Sequence, residues 1–303
     1  MTKNQPKPSE LWERINKTNL RKELIQDLEN FKSTDVNFKI SLWNPKTNGI
    51  RYLKTLLYNL AASLSLEAWE RISKIKNRNI GNPITVKYNG EEICLDYLQA
   101  VFELEFIEKH IQLDGLSILE IGAGYGRTCH GIMSNHKVKS YTIIDLENCL
   151  ELCKKHLKIV LEDTNFKKID FILVGNAELL NNSNFDLCIN IDSFAEMDAK
   201  VVGYYLDYIN TYSDYLYVKN PVGKYMDKSI DNHSQGSELV ELALSTGVLR
   251  DVIDIHDNKA VNKQVPMFIK AYQPGEKWEC IANSWARPWS YYWQAMYKKL
   301  NLK

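Results

Sequence analysis

Residues 118–127, ILEIGAGYGR, constrain the fold more than any other stretch of this chain. An apolar, β-branched run leads into glycines at 122, 124 and 126, and Arg127 then opens a helical pattern. The stretch predicts a short buried strand, a tight turn and the first turn of a helix. Glycine lacks a Cβ, so such a turn takes backbone angles that other residues resist and lies flat against a ligand. A turn of this kind at the carboxyl end of a parallel strand is where open α/β sheets bind nucleotides.

A second acid supports that placement. Residues 140–145, SYTIID, form a β-branched run ending in Asp145. Nucleotide-binding α/β units hold ribose hydroxyls from an acid at this position. The glycine spacing then separates two options. A dinucleotide fingerprint has a third glycine where this chain has Arg127, and Glu120 lies two residues before the first glycine. Glu-x-Gly-x-Gly-x-Gly resembles motif I of the class I S-adenosylmethionine (SAM) methyltransferases, whose acid and glycine turn surround the methionine end of the cofactor. The resemblance implies SAM held by Glu120, Gly122, Ala123, Gly124, Tyr125 and Gly126, and by Asp145 with Leu146 beside it. It also implies Asn176 and Ala177 near the adenine and Asn190 at the tip of the fourth parallel strand. A nicotinamide dehydrogenase is the rival reading. The plain structural one is a glycine helix cap with a solvated Asp145.

Strands predicted at 117–121, 140–145, 169–174, 186–191 and 214–219 alternate with helices, which implies a parallel sheet. Two apolar runs, 248–254 and 265–272, are predicted as a closing antiparallel hairpin. The expected fold is therefore α/β: a Rossmann-like class I methyltransferase sheet, mostly parallel with an antiparallel last strand, and a helical N-terminal region. Residues 1–115 form that region, with helices expected at 11–30, 50–63, 66–75 and 95–111. A turn is expected at 44–49 and a small hairpin at 82–93 around Asn89-Gly90, a type I′ signal. The SAM-binding domain is expected at 116–275. The tail, 276–303, carries Trp278, Trp285, Trp289 and Trp293. Its aromatics are expected to pack on the core or on a second copy in a homodimer.

Lys plus Arg equals Asp plus Glu at 38 each, giving zero formal charge. That argues against nucleic acid or an anionic membrane held by bulk charge. No apolar run approaches the ~20 residues of a spanning helix, and no secretory leader pattern is visible. The six cysteines form no CxxC pair. Buried thiols in a reduced, cytoplasmic protein are expected.

Beyond motif I, the chain resembles a bacterial group of sugar O-methyltransferases. The carrying segments are 44–49, 118–133, 142–150, 189–198, 217–221 and 287–292. The resemblance implies a small-molecule acceptor, a hydroxyl of a sugar or nucleotide-linked sugar, in the synthesis of a surface polysaccharide. The alternatives are O- or N-methylation of another small metabolite and a SAM-binding subunit without catalysis. Methyl transfer from SAM needs alignment and, for a hydroxyl, a base. Candidates at the carboxyl edge are His233, Asp192 and Glu196, with His233 and Asp192 expected to act as a pair. The carboxylate and histidine ligands of metal-dependent relatives have no clear counterpart, so no metal is expected.

Overall fold

The computed structural model of the chain describes residues 8–18, 43–180, 183–225, 228–231 and 236–300. The chain divides into two compact units, 1–59 and 60–303. In the first, helix α1 (Glu10–Thr18) covers the start of the expected 11–30 helix, and the remainder lies outside the described residues. Helix α2 (Pro45–Ala62) begins inside the stretch expected as a turn. Pro45 suits a first helical position, where no N–H is needed, and Asn44 Oδ1 accepts from Lys46 N at 2.9 Å. The turn signal survives as a kink at Asn48 (φ −118°, ψ 19°).

In the second unit, Ser65 caps helix α3 (Leu66–Lys74) by accepting from Ala68 N. Strands β1 (Thr85–Tyr88) and β2 (Glu91–Cys94) pair as the expected hairpin. Asn89 and Gly90 have φ of 50° and 83°, as a type I′ turn requires. Helix α4 (Leu95–Glu108) is buried on most sides, including the charged Glu103.

The main sheet follows. Strand β3 (Ser117–Ile121), helix α5 (Arg127–Asn135), β4 (Ser140–Asp145), α6 (Glu147–Val160), the short α7 (Asp163–Phe166) and β5 (Ile169–Leu173) come in turn. They precede β6 (Phe185–Ile191), α8 (Ala199–Tyr212), β7 (Ser213–Pro221), α9 (Lys228–Asp231), α10 (Ser237–Ser245) and α11 (Asn258–Ala271). Strands β8 (Trp278–Trp285) and β9 (Tyr292–Lys299) close the order β5-β4-β3-β6-β7-β9-β8. β3 through β7 pair in parallel, whereas β9 is antiparallel to both β7 and β8. This is the expected Rossmann-like sheet, mostly parallel with an antiparallel end. The chain steps outward from β3 to β5, then returns to lay β6 on the other side of β3. Ligands bind such sheets at that switch point, beyond the carboxyl ends of the strands.

Alternate strand residues point to opposite faces, and the core divides accordingly. Leu119, Cys188, Leu216 and Val218 pack with Val202, Tyr205 and Ile209 of α8 and Phe268 of α11. Ile118, Ile143, Leu187 and Ile189 pack with α4, α5 and α6 through Ile107, Ile132 and Leu157. Helices thus cover both faces.

The antiparallel pair does not lie where the sequence predicted it. Residues 248–254 make only an isolated bridge, Val252 with Lys224, and 265–272 lie in and just after α11. Buried Val261, Gln264 and Phe268 recur there at helical spacing. The helix absorbs Pro266 at the cost of one backbone hydrogen bond. The antiparallel strands come instead from the tryptophan-rich tail. In β8 burial alternates along the strand, and β9 is held on both edges. No described helix is long and apolar enough to cross a membrane.

Candidate active site

The glycine turn joins β3 to α5 as expected, and its glycines serve different ends. Gly122 has φ +74°, and a Cβ there would lie 2.2 Å from Ser193 Oγ. The turn is therefore pressed against the loop after β6. Gly124 has φ +58°, and a Cβ there would meet nothing within 4 Å. It faces a cavity of about 550 Å³, whose wall also carries Glu120, Gly122, Ala123 and Tyr125. Gly126 caps α5 with φ 86°.

Asp145 accepts from Gly124 N at 2.8 Å through one carboxylate oxygen and from Leu146 N at 2.7 Å through the other. It is buried and fixes the turn from behind, outside the residues that line the cavity. Leu146 is exposed at the start of α6. Asn176 is exposed in the turn after β5, in the 3₁₀ segment Val174–Leu180 that also contains Ala177.

Asn190, expected at the cofactor, is fully buried and spends all its bonding capacity internally. Its amide donates to Ile121 O at 2.9 Å and Ser193 Oγ at 2.6 Å. Its carbonyl accepts from Phe194 N at 3.3 Å and Asn220 Nδ2 at 3.0 Å. Asn190 therefore staples the tips of β3, β6 and β7 rather than presenting an atom to a ligand.

Asp192, just beyond β6, faces the cavity in a strained conformation (φ 70°, ψ −41°). Its amide donates to Lys219 O at 2.8 Å, and its Oδ1 accepts from Tyr292 Oη at 2.6 Å. Non-glycine residues in such conformations cost about 1–3 kcal/mol and cluster at functional sites. Burial and the adjacent Asp192 push the Tyr292 hydroxyl far above its usual pKa, so it stays a donor. Glu196 is exposed and lies between the 3₁₀ turn Ser193–Ala195 and α8. Partial desolvation of its carboxyl and the charge of Asp192 raise its pKa, against the pull of Lys224. His233 lies outside the described residues.

The remaining walls carry charges whose partners lie far off in the sequence. Arg127 grips buried Glu103 with two hydrogen bonds, of 2.7 and 3.1 Å. Lys219 Nζ donates to the same carboxylate at 2.7 Å and to Gln99 Oε1 at 3.0 Å. Trp289 Nε1 also donates to Gln99 Oε1, at 3.0 Å. Burial opposes ionisation of Glu103, but Arg127 and Lys219 outweigh it and hold its pKa below the usual range. Burial pulls the Lys219 ammonium down, against the attraction of Glu103. The signals lay in charges set inside apolar runs: Glu103, with Glu105 beside it, within VFELEF, and Lys219 within YLYVKNP. Burial likewise pushes Glu120 up to about 7, against its hydrogen bonds with Tyr141 and Thr128.

A second cavity, of about 410 Å³, adjoins the first. Asp192, Tyr225 and Tyr292 belong to the walls of both. Among the described residues, no three His, Cys, Asp or Glu side chains are grouped to hold a metal ion.

No family model and no curated protein matches the chain. Among solved structures it is similar to the methyltransferase domain of bacterial CtHen1-CN, at 14% identity over 67% of this chain and 99% of that one, with a TM-score of 0.46. It is also similar to TrmK of M. capricolum, solved in complex with its cofactor product S-adenosyl-homocysteine. That identity is 15%, over 66% of this chain and 68% of that one, with a TM-score of 0.39. Against the glycopeptide N-methyltransferase MtfA the identity is 11%, over 66% and 90% of the two chains, with a TM-score of 0.44.

Proposed function

We propose that this chain is a SAM-dependent O-methyltransferase acting on a hydroxyl of a sugar or nucleotide-linked sugar. One observation carries the reading: a single cavity is bounded by both the Glu120–glycine turn and the strained Asp192. Its size, about 550 Å³, lies within the usual range for small-ligand sites. The residues fit the cofactor chemically. Glu120 offers a buried acid to the ammonium of a methionine moiety, and Gly124 leaves open the space that a side chain would fill. Asp145 stands behind the turn as the ribose acid.

Bound there, SAM would supply a methyl group activated on a sulfonium, with S-adenosyl-homocysteine as the leaving group. The chain's own task is alignment and proton removal. Asp192 receives the proton of the acceptor hydroxyl as its oxygen takes the methyl, and general bases of this kind contribute about 10²–10⁴-fold. Tyr292 holds the Asp192 carboxylate in place through its 2.6 Å hydrogen bond. His233, if paired with Asp192, would pass that proton on. Helix α4 brings Gln99 to the wall, which supports a part for that helix in building the site. No metal enters this scheme. Six free cysteines suit the cytoplasm.

Arg127 weighs against a nicotinamide site. It stands where a dinucleotide fingerprint has its third glycine, and its guanidinium is committed to Glu103. The test is a screen of nucleotide sugars with SAM, read by mass spectrometry. Gain of one methyl group on a sugar supports the proposal. Methylation of amines alone would favour N-transfer, and cofactor binding without any product would favour a non-catalytic subunit.

A further inference from the structure

We infer that the second cavity is the methyl-acceptor subsite and that it selects a ring with an apolar substituent, such as a 6-deoxy sugar, over its fully hydroxylated counterpart. This rests on the methyltransferase reading above and specifies its substrate.

The location follows from continuity. The two cavities share Asp192, Tyr225 and Tyr292, so a molecule in the second presents its nearest hydroxyl at the proposed base. The selectivity follows from helix α10. Leu239, Leu242, Ala243 and Thr246 all line the second cavity. Their spacing, i, i+3, i+4 and i+7, puts them on one helix face. Leu239 is 57% exposed and Leu242 63% exposed, so the face is uncovered where it borders the cavity.

The end of that helix is fixed to the turn that bears the base. Thr246 Oγ1 donates to Ala195 O at 3.1 Å, and Lys224 Nζ donates to Ala195 O at 2.9 Å and Thr246 Oγ1 at 3.2 Å. Gly247 N donates to Met197 O at 2.7 Å. The aliphatic stripe therefore stands at a set distance from Asp192. Tyr225 and Tyr292 offer ring faces to a sugar's C–H surface, and Glu196 and Lys224 offer polar partners to its hydroxyls. A methyl substituent against Leu239 and Leu242 gains apolar contact, whereas a hydroxymethyl at the same place meets side chains that offer it no hydrogen bond.

The test uses the full chain loaded with S-adenosyl-homocysteine, titrated with matched pairs: L-fucose against L-galactose and 6-deoxy-D-glucose against D-glucose, free and as their nucleotide diphosphate conjugates. The 6-deoxy member of at least one pair should bind roughly 10–100-fold tighter, the range one group commands in an apolar pocket. In Leu239→Ser/Leu242→Ser that ratio should fall toward one with S-adenosyl-homocysteine affinity unchanged. Both side chains are exposed, so a melting curve should match the wild type. Equal affinities within every pair, a preference that survives the double substitution, or no sugar binding at all would each overturn the inference. Failure of S-adenosyl-homocysteine itself to bind would instead overturn the methyltransferase reading.

Discussion

The Tyr292 hydroxyl donates to Asp192 Oδ1 at 2.6 Å, tying the antiparallel strand β9 to the loop beyond the parallel strand β6. β9 reaches that loop because it pairs with β7, with Tyr292 opposite Pro221. The tail of the chain thus delivers the group that orients the proposed base. Tyr292→Phe keeps the ring and removes the donor. A hydrogen bond to a charged group is worth about 1.5–3 kcal/mol. We predict that kcat falls roughly 10-fold or more, while SAM affinity is nearly unchanged. Wild-type turnover in that variant would detach Tyr292 from the mechanism.

Two neighbouring glycines should respond differently to alanine. Gly122→Ala forces a Cβ to within 2.2 Å of Ser193 Oγ at a positive φ, and should cost at least about 2 kcal/mol of stability. Gly124→Ala meets no protein atom and should cost only about 1–2 kcal/mol for its left-handed backbone. Its methyl projects from the cavity wall, so cofactor affinity should drop sharply in a protein that still folds. Thermal unfolding and calorimetry separate the two effects, and equal loss of stability in both variants would contradict the assignment.

Glu120 gives the fold a pH signature. Burial raises its carboxyl from 4.5 to about 7, so the folded chain binds this proton more tightly than the unfolded chain. The stabilisation is complete below about pH 4.5 and is lost as pH rises through about 7, on the order of 3 kcal/mol in total. Glu120→Gln should remove this dependence. Urea titrations of both proteins between pH 5 and 8 measure the difference, and parallel pH profiles would refute it.

Glu103, itself buried, compensates two cations, the buried Lys219 and the partly buried Arg127. Removing one partner of a buried ion pair costs about 3–5 kcal/mol, because the remaining charge has lost its counterion. Glu103→Gln should destabilise by that order in denaturant unfolding. A change below about 1 kcal/mol, the usual limit for an exposed pair, would show that the cluster is solvated.

The parallel half of the sheet was legible because its strands are short apolar runs with clear punctuation. Predicted strands at 117–121 and 140–145 coincide with β3 and β4, and Asn89-Gly90 makes the turn its sequence announces. The closing hairpin was misplaced because two cues misled. The short apolar run 265–272 reads as a strand when taken alone, while the helical spacing of Val261, Gln264 and Phe268 shows only over a longer window. The tail's tryptophans suggested packing and hid the alternation within WECIANSW. At the site, the residues of the turn could be read in order because they are local in sequence. Tyr292 and Asp192 are 100 positions apart, and only the register of β9 on β7 brings them together. Asn190 carried a local signal for the cofactor, but three strand tips compete for its amide and carbonyl.

The most direct test of the central claim is a calorimetric titration of the full chain with S-adenosyl-homocysteine and, separately, with NAD⁺. The account predicts saturable binding of one S-adenosyl-homocysteine per chain, weakened by Asp145→Ala, and no heat of binding with NAD⁺. Saturable NAD⁺ binding with none for S-adenosyl-homocysteine would contradict it.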